Sequence, residues 1–139
     1  HYDEITSPEQ VQIYEAIMQD VHGDVTTMLL AASEYAKDNR LLPAGFDKAT
    51  APAEIAPQGK AFNDDDFLDG TDTLVYRVDT ENTAGPYTVE VELLYQSIAY
   101  RWAQELKAFD TEQTRTFSDY YRSIPNLPVV VAEQSAQSQ

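Results

Sequence analysis

The 139-residue chain contains no cysteine. That excludes disulfides, thiolate metal sites, a cysteine nucleophile and haem attached through a C-x-x-C-H motif of this chain. Basic residues are scarce as well: nine Lys and Arg stand against 24 Asp and Glu, a formal charge of −15. So acidic a surface repels phosphate backbones, which sets aside nucleic acid and anionic membrane as partners. Apolar runs are only a few residues long, far short of the ~20 that span a bilayer. Histidine occurs twice, as His1 and His22. No G-x-S-x-G elbow, P-loop or dinucleotide glycine motif is present. The opening "HYDEITSPEQ" has neither a basic n-region nor an apolar h-region, so either a signal peptide has been removed or the domain is excised from a longer chain; it reads like the middle of a protein, which favours excision.

Ordinary apolar content, 42%, and a length of 139 residues imply one domain over 1–139 with a single core. The clearest patterning runs from 73 to 96. In "TLVYRVD", Leu74, Tyr76 and Val78 share a face. In "YTVEVELLYQ", Tyr87, Val89, Val91, Leu93 and Tyr95 alternate with Thr88, Glu90, Glu92 and Leu94. Period two predicts half-buried strands. The intervening Asn82, Gly85 and Pro86 predict the loop of an antiparallel hairpin with one face on the core. Helices are predicted for "SIAYRWAQELKAF", with Trp102 on the apolar stripe, and for "TEQTRTFSDYYRSI", ended by Pro125. "LPVVVAE" reads as a buried strand opening on Pro128, and 134–139 as a frayed tail. In the first forty residues two signals compete. Ser7, Pro8 and Gln10 form a helical capping box, whereas "QVQIYE" alternates as a strand. The β content downstream favours a strand over 10–18. The fold class expected is mainly β, an antiparallel sandwich-like domain with one or two C-terminal helices.

Residues 43–72 hold Pro43, Pro52, Pro57, Gly45, Gly59 and Gly70, a long irregular connection of the sort that often carries function. Within it "NDDDFLDGTD" gathers Asp64, Asp65, Asp66, Asp69 and Asp72. These are candidate calcium ligands, because Ca²⁺ takes six to eight hard oxygens. The spacing departs from an EF-hand: counted from Asp65, Phe67 and Tyr76 stand where oxygen ligands belong. The competing reading is a solvated acidic loop. His22, in "DVHGD", reads as a turn residue, and His1 lies at the chain's edge, so neither completes a triad or a zinc set. Tyr87, Tyr95 and Trp102 read as core rather than as a sugar-stacking platform.

Three of the nine basic residues, Lys37, Arg40 and Lys48, cluster in "EYAKDNRLLPAGFDKATAP". On a strand, Asp38 and Arg40 point the same way and pair, while Asn39 faces the other way. Pro43 to Gly45 then turn the chain and Phe46 plugs the core. The alternative is that Lys37 and Arg40 meet an acidic partner domain.

"SPEQVQIYEAIMQD", "LLAASEYAKDNRLLPAGFDKATAP" and "VELLYQSIAYRWAQELKAFD" followed by "RTFSDYY" together resemble the C-terminal haem-free domain of bacterial multihaem c-type cytochromes. The resemblance implies a periplasmic or otherwise exported protein, with haem c on segments upstream of this one. It implies a non-catalytic accessory or interaction domain that docks on the haem-bearing domain of the same parent chain or on a redox partner. It supplies no catalytic residues. The alternative function is a carbohydrate- or calcium-binding module built on the loop from Asn63 to Asp72.

Overall fold

Near the start of the chain the alternating "QVQIYE" lies outside the strands that flank it, and the capping box produces none of the helix it advertises. In the computed structural model, which describes residues 1–138, Gln10 Oε1 accepts from the backbone N–H groups of Thr6 (2.8 Å) and Ser7 (3.1 Å). The capping chemistry thus closes a turn and stops there. Strand β1 (Glu4–Ile5) precedes that turn, and β2 (Ala16–Asp20) follows it. The strand expected over 10–18 therefore begins later and runs two residues further. β2 lies between β3 (Val25–Thr26) and β4 (Ala32–Asp38) in an antiparallel sheet of order β3-β2-β4. His22 is exposed in the turn between β2 and β3, as its sequence context predicts.

Residues 43–72 are mostly irregular, with one turn of helix, α1 (Lys60–Asn63). At "LDGT", Leu68 and Thr71 exchange backbone hydrogen bonds of 3.1 and 2.9 Å around Asp69 (φ 54°) and Gly70 (φ 79°). Two left-handed central residues make this the tight hairpin turn that Asp-Gly favours. A side chain on Gly70 would also meet the Leu42 carbonyl at 3.2 Å.

The hairpin expected between 73 and 96 does not form. β5 (Val75–Tyr76) pairs in parallel with β1, Glu4 opposite Val75 and Ile5 opposite Tyr76. β6 (Thr88–Tyr95) pairs antiparallel with β7 (Val129–Gln137). Alternation fixes which side chains share a face and carries no information on the partner strand. The tail is corrected too: Gln134 to Gln137 are paired with β6, and Ser138 N–H donates to the Tyr87 carbonyl at 2.8 Å. Gln139 lies outside the described residues. Between β6 and β7 run α2 (Tyr100–Leu106) and α3 (Glu112–Ser123). Thr111 caps α3 by accepting from Thr114 N–H, and the helix ends at Ile124, before Pro125.

Strand residues outnumber helical ones, and two of the sheets are antiparallel; no sandwich is seen among the described residues. Where composition points to one domain, contacts gather into two compact units, His1–Asp79 and Thr80–Gln139. The boundary falls in the loop that was expected to turn the hairpin.

Burial is concentrated in the first unit, at Ile5, Ala56, Ala61 and Phe67. Phe67 is fully buried, whereas Phe46, expected to plug the core, is only half-buried. In the second unit Ala103 is the one core residue among those described. β6 and β7 are exposed at every position, so neither the half-buried β6 nor the buried β7 of the sequence reading holds. Val78, Tyr95 and Trp102, expected in the core, are likewise exposed.

Candidate functional site

The residues bracketing the Asp-Gly turn converge on the end of the chain that sequence reading set aside. Asp66 ties the two sides of the turn, its Oδ1 accepting from Thr73 N–H at 3.1 Å. Asp64 and Asp72 then lie together beside the ring of His1, with ligand-type atoms of all three within 4.8 Å of one another. The side chains are 0% (His1), 9% (Asp64) and 2% (Asp72) exposed. Phe67 forms the apolar wall, edge-on to the His1 ring at 5.0 Å and stacked with Tyr14 at 6.5 Å.

The amides around His1 determine its protonation. Asn39 Oδ1 accepts from Glu15 N–H at 2.9 Å and Gln12 Oε1 accepts from Tyr2 N–H at 3.1 Å. Both backbone donors fix the amide orientation, so both NH₂ groups are presented inward. Asn39 Nδ2 donates to His1 Nδ1 at 3.1 Å and to the Ile13 carbonyl at 3.0 Å. Gln12 Nε2 donates to His1 Nδ1 at 3.0 Å and to Asp72 Oδ2 at 3.3 Å. A ring nitrogen facing two N–H donors carries a lone pair, not a proton. The tautomer that fits these donors has its N–H at Nε2, which donates to Asp64 Oδ2 at 2.8 Å.

Each carboxylate is held separately. Asp64 Oδ1 accepts from Asp66 N–H at 3.1 Å. Burial works to raise the Asp64 carboxyl, but the His1 hydrogen bond and the backbone donors hold it below the usual carboxylate value. Asp72 Oδ2 accepts from Tyr14 Oη–H at 2.5 Å. Burial first, and then the charge and hydrogen bond of Asp72, push the Tyr14 phenol far above the ordinary tyrosine range. Asp72 Oδ1 is buried and has no hydrogen-bond partner.

Of the five acidic candidates, Asp64 and Asp72 are thus brought together. Asp66 staples the turn, Asp69 forms it and accepts from Gly45 N–H, and Asp65 is exposed. Sequence reading missed His1, Gln12, Tyr14 and Asn39. The available signal was the shared face of Gln12 and Tyr14 in "QVQIYE", together with the prediction that Asn39 turns away from its charged neighbours.

The basic cluster is spent internally. Arg40 grips Asp38 with two bonds, Nε to Oδ1 at 2.9 Å and Nη2 to Oδ2 at 2.6 Å. Lys37 Nζ donates to the Ile13 carbonyl at 2.9 Å and to Glu15 at 3.3 Å, and Lys48 Nζ donates to the Asp64 carbonyl. Of the expected corner, the Asp38–Arg40 pair and the turn after Pro43 are present, whereas Phe46 does not plug the core.

Both ring nitrogens of His1 are engaged, and its side chain is buried. No Ser, Thr or Lys nucleophile contacts it among the described residues. No family model, curated protein or solved structure matches the chain.

Proposed function

We propose that this chain is a non-catalytic accessory module of an exported multihaem electron-transfer protein. In this reading the β6–β7 ribbon docks on the haem-bearing part of that protein. The observation that carries it is the ribbon itself. Val89, Val91 and Leu93 stand opposite Ala136, Gln134 and Ala132 on one face, while Glu90 and Glu92 stand opposite Ser135 and Glu133 on the other. The ribbon is thus amphipathic over 89–93, with Leu94 and Val130 adding apolar surface beyond it, and Val89, Val91 and Leu93 remain 54%, 51% and 40% exposed. A two-stranded ribbon of this kind is marginal without a second layer. The finer sandwich-like architecture belongs to the same reading, with the partner supplying the layer.

Surface area supports it. The chain exposes 10607 Å², whereas a folded monomer of 15.6 kDa exposes about 7,200 Å². Two independent domains of the sizes seen here would expose only about 8,700 Å² by the same scaling. The excess, near 2,000 Å² over the whole chain, is comparable to what one partner buries in an obligate interface. The haem-bearing occupant comes from the resemblance of the KDNRLLP and YQSIAYRWA runs.

The test is photo-cross-linking in the cell that makes the protein, from a photoreactive residue at Leu93 and, as a control, at Glu92 on the opposite face. Cross-links from Leu93 to a peptide carrying covalent haem, with few from Glu92, are expected. Haem-free products, or equal yields from the two faces, overturn the reading.

A further inference from the structure

The ribbon leaves the His1–Asp64–Asp72 cluster unexplained. Two carboxylates are buried side by side with the His1 imidazole, and among the described residues no lysine or arginine side chain pairs with either. Lys48 goes to the Asp64 backbone carbonyl instead. Burying adjacent charges without a counter-charge is costly. A second, independent observation points to a ligand: Asp72 Oδ1, on a side chain 2% exposed, is directed at the cluster and has no donor.

We propose that Asp64 and Asp72 hold a hard divalent cation, of the Ca²⁺ or Mg²⁺ class, and that His1 orients Asp64 without touching the ion. The spacing admits it: oxygens bound to one Ca²⁺ at 2.3–2.6 Å lie no more than about 5 Å apart, and the cluster's ligand atoms lie within 4.8 Å. Asp72 Oδ1 has both lone pairs open, and Asp64 Oδ2 keeps one beside the His1 bond. Every other contact is the outer shell such a site needs. Tyr14 and Gln12 donate to Asp72 Oδ2, and His1 and Asp66 N–H donate to Asp64, so each carboxylate is aimed before the ion arrives.

The same shell argues against a transition metal on the imidazole. A ligating histidine donates its other N–H to an acceptor. Here that nitrogen, Nδ1, faces the NH₂ groups of Asn39 and Gln12, both oriented by backbone bonds. Metal on Nε2 would force the proton onto Nδ1, against two donors. The cluster selects oxygen chemistry.

Calorimetric titration with CaCl₂ and, separately, with MgCl₂ is the test, alongside ¹⁵N resonances of the His1 ring. One ion per chain, a rise in melting temperature, and a His1 Nε2 that stays protonated on saturation are expected. Asp72→Asn and Asp64→Asn should each weaken binding at least tenfold, while the exposed Asp65→Asn stays within twofold. Calcium and magnesium heats compared directly say which ion the site takes. Because Asp72→Asn is nearly isosteric, circular dichroism of the variant separates lost binding from lost fold, and Asp64→Asn gives an independent reading. Absence of heat and of thermal shift with both salts at millimolar concentration overturns the proposal. So does unchanged affinity in a folded Asp72→Asn, or loss of the Nε2 proton on binding.

Discussion

Asn39 and His1, 38 positions apart, meet at 3.1 Å with Asn39 Nδ2 as donor. The same amide accepts from Glu15 N–H and donates to the Ile13 carbonyl, so one fully buried side chain joins three segments of the first unit.

Asn39→Ala leaves a buried N–H, a carbonyl and an imidazole nitrogen without this partner. Each such loss costs about 1–3 kcal/mol where water cannot enter. A combined loss of about 3 kcal/mol is expected from urea unfolding of the first unit. A loss under about 1 kcal/mol would mean that solvent replaces the amide and that the site is not sealed.

The acid limb of stability should pass through Asp64. Its carboxyl titrates below the ordinary value in the folded chain. Its contribution is therefore present above the unfolded carboxyl range and is lost as pH falls through the folded value. Urea midpoints measured from neutral to strongly acidic pH should fall less steeply in Asp64→Asn than in the parent sequence. Parallel curves would show that Asp64 gains nothing from folding.

At the alkaline end Tyr14 moves the opposite way. Its phenol titrates above the ordinary tyrosine range, so its contribution is present below that range and lost as pH rises toward the folded value. Phenolate absorbance should show one tyrosine ionising late. In Asp72→Asn it should ionise earlier but remain raised, because burial, the larger cause, persists. Return to the ordinary range would make the carboxylate the whole cause.

The division at Asp79 and Thr80 predicts a proteolytic pattern. Glu81 is exposed, with φ of 49°, in the connecting loop. Brief digestion with a glutamate-specific protease should cut first at Glu81. First cuts at Glu90 or Glu92 would instead place the weakest structure inside β6.

Local chemistry was legible in the sequence where neighbours in the chain decide the outcome. The Asp38–Arg40 pair, the end of α3 before Pro125 and the strand character of 88–95 were all readable. Long-range pairing was not. Alternation in "YTVEVELLYQ" is equally satisfied by a hairpin with β5 and by β7, about forty residues on, and only tertiary contacts choose between them. Burial failed for a related reason: apolar alternation marks a face fit to be covered and leaves open what covers it. His1 was invisible as a site residue because its partners, Gln12, Asn39, Asp64 and Asp72, are scattered over sixty positions and form no motif.

Hydrogen exchange of the β6–β7 amides, measured in this chain alone and in the haem-bearing protein the account proposes as its parent, tests the accessory-module account most directly. Val89, Val91 and Leu93 should exchange rapidly in the isolated chain and at least a hundredfold more slowly in the parent, because the docked layer closes the ribbon. Equal exchange in the two would show a ribbon that nothing covers, and would contradict the account.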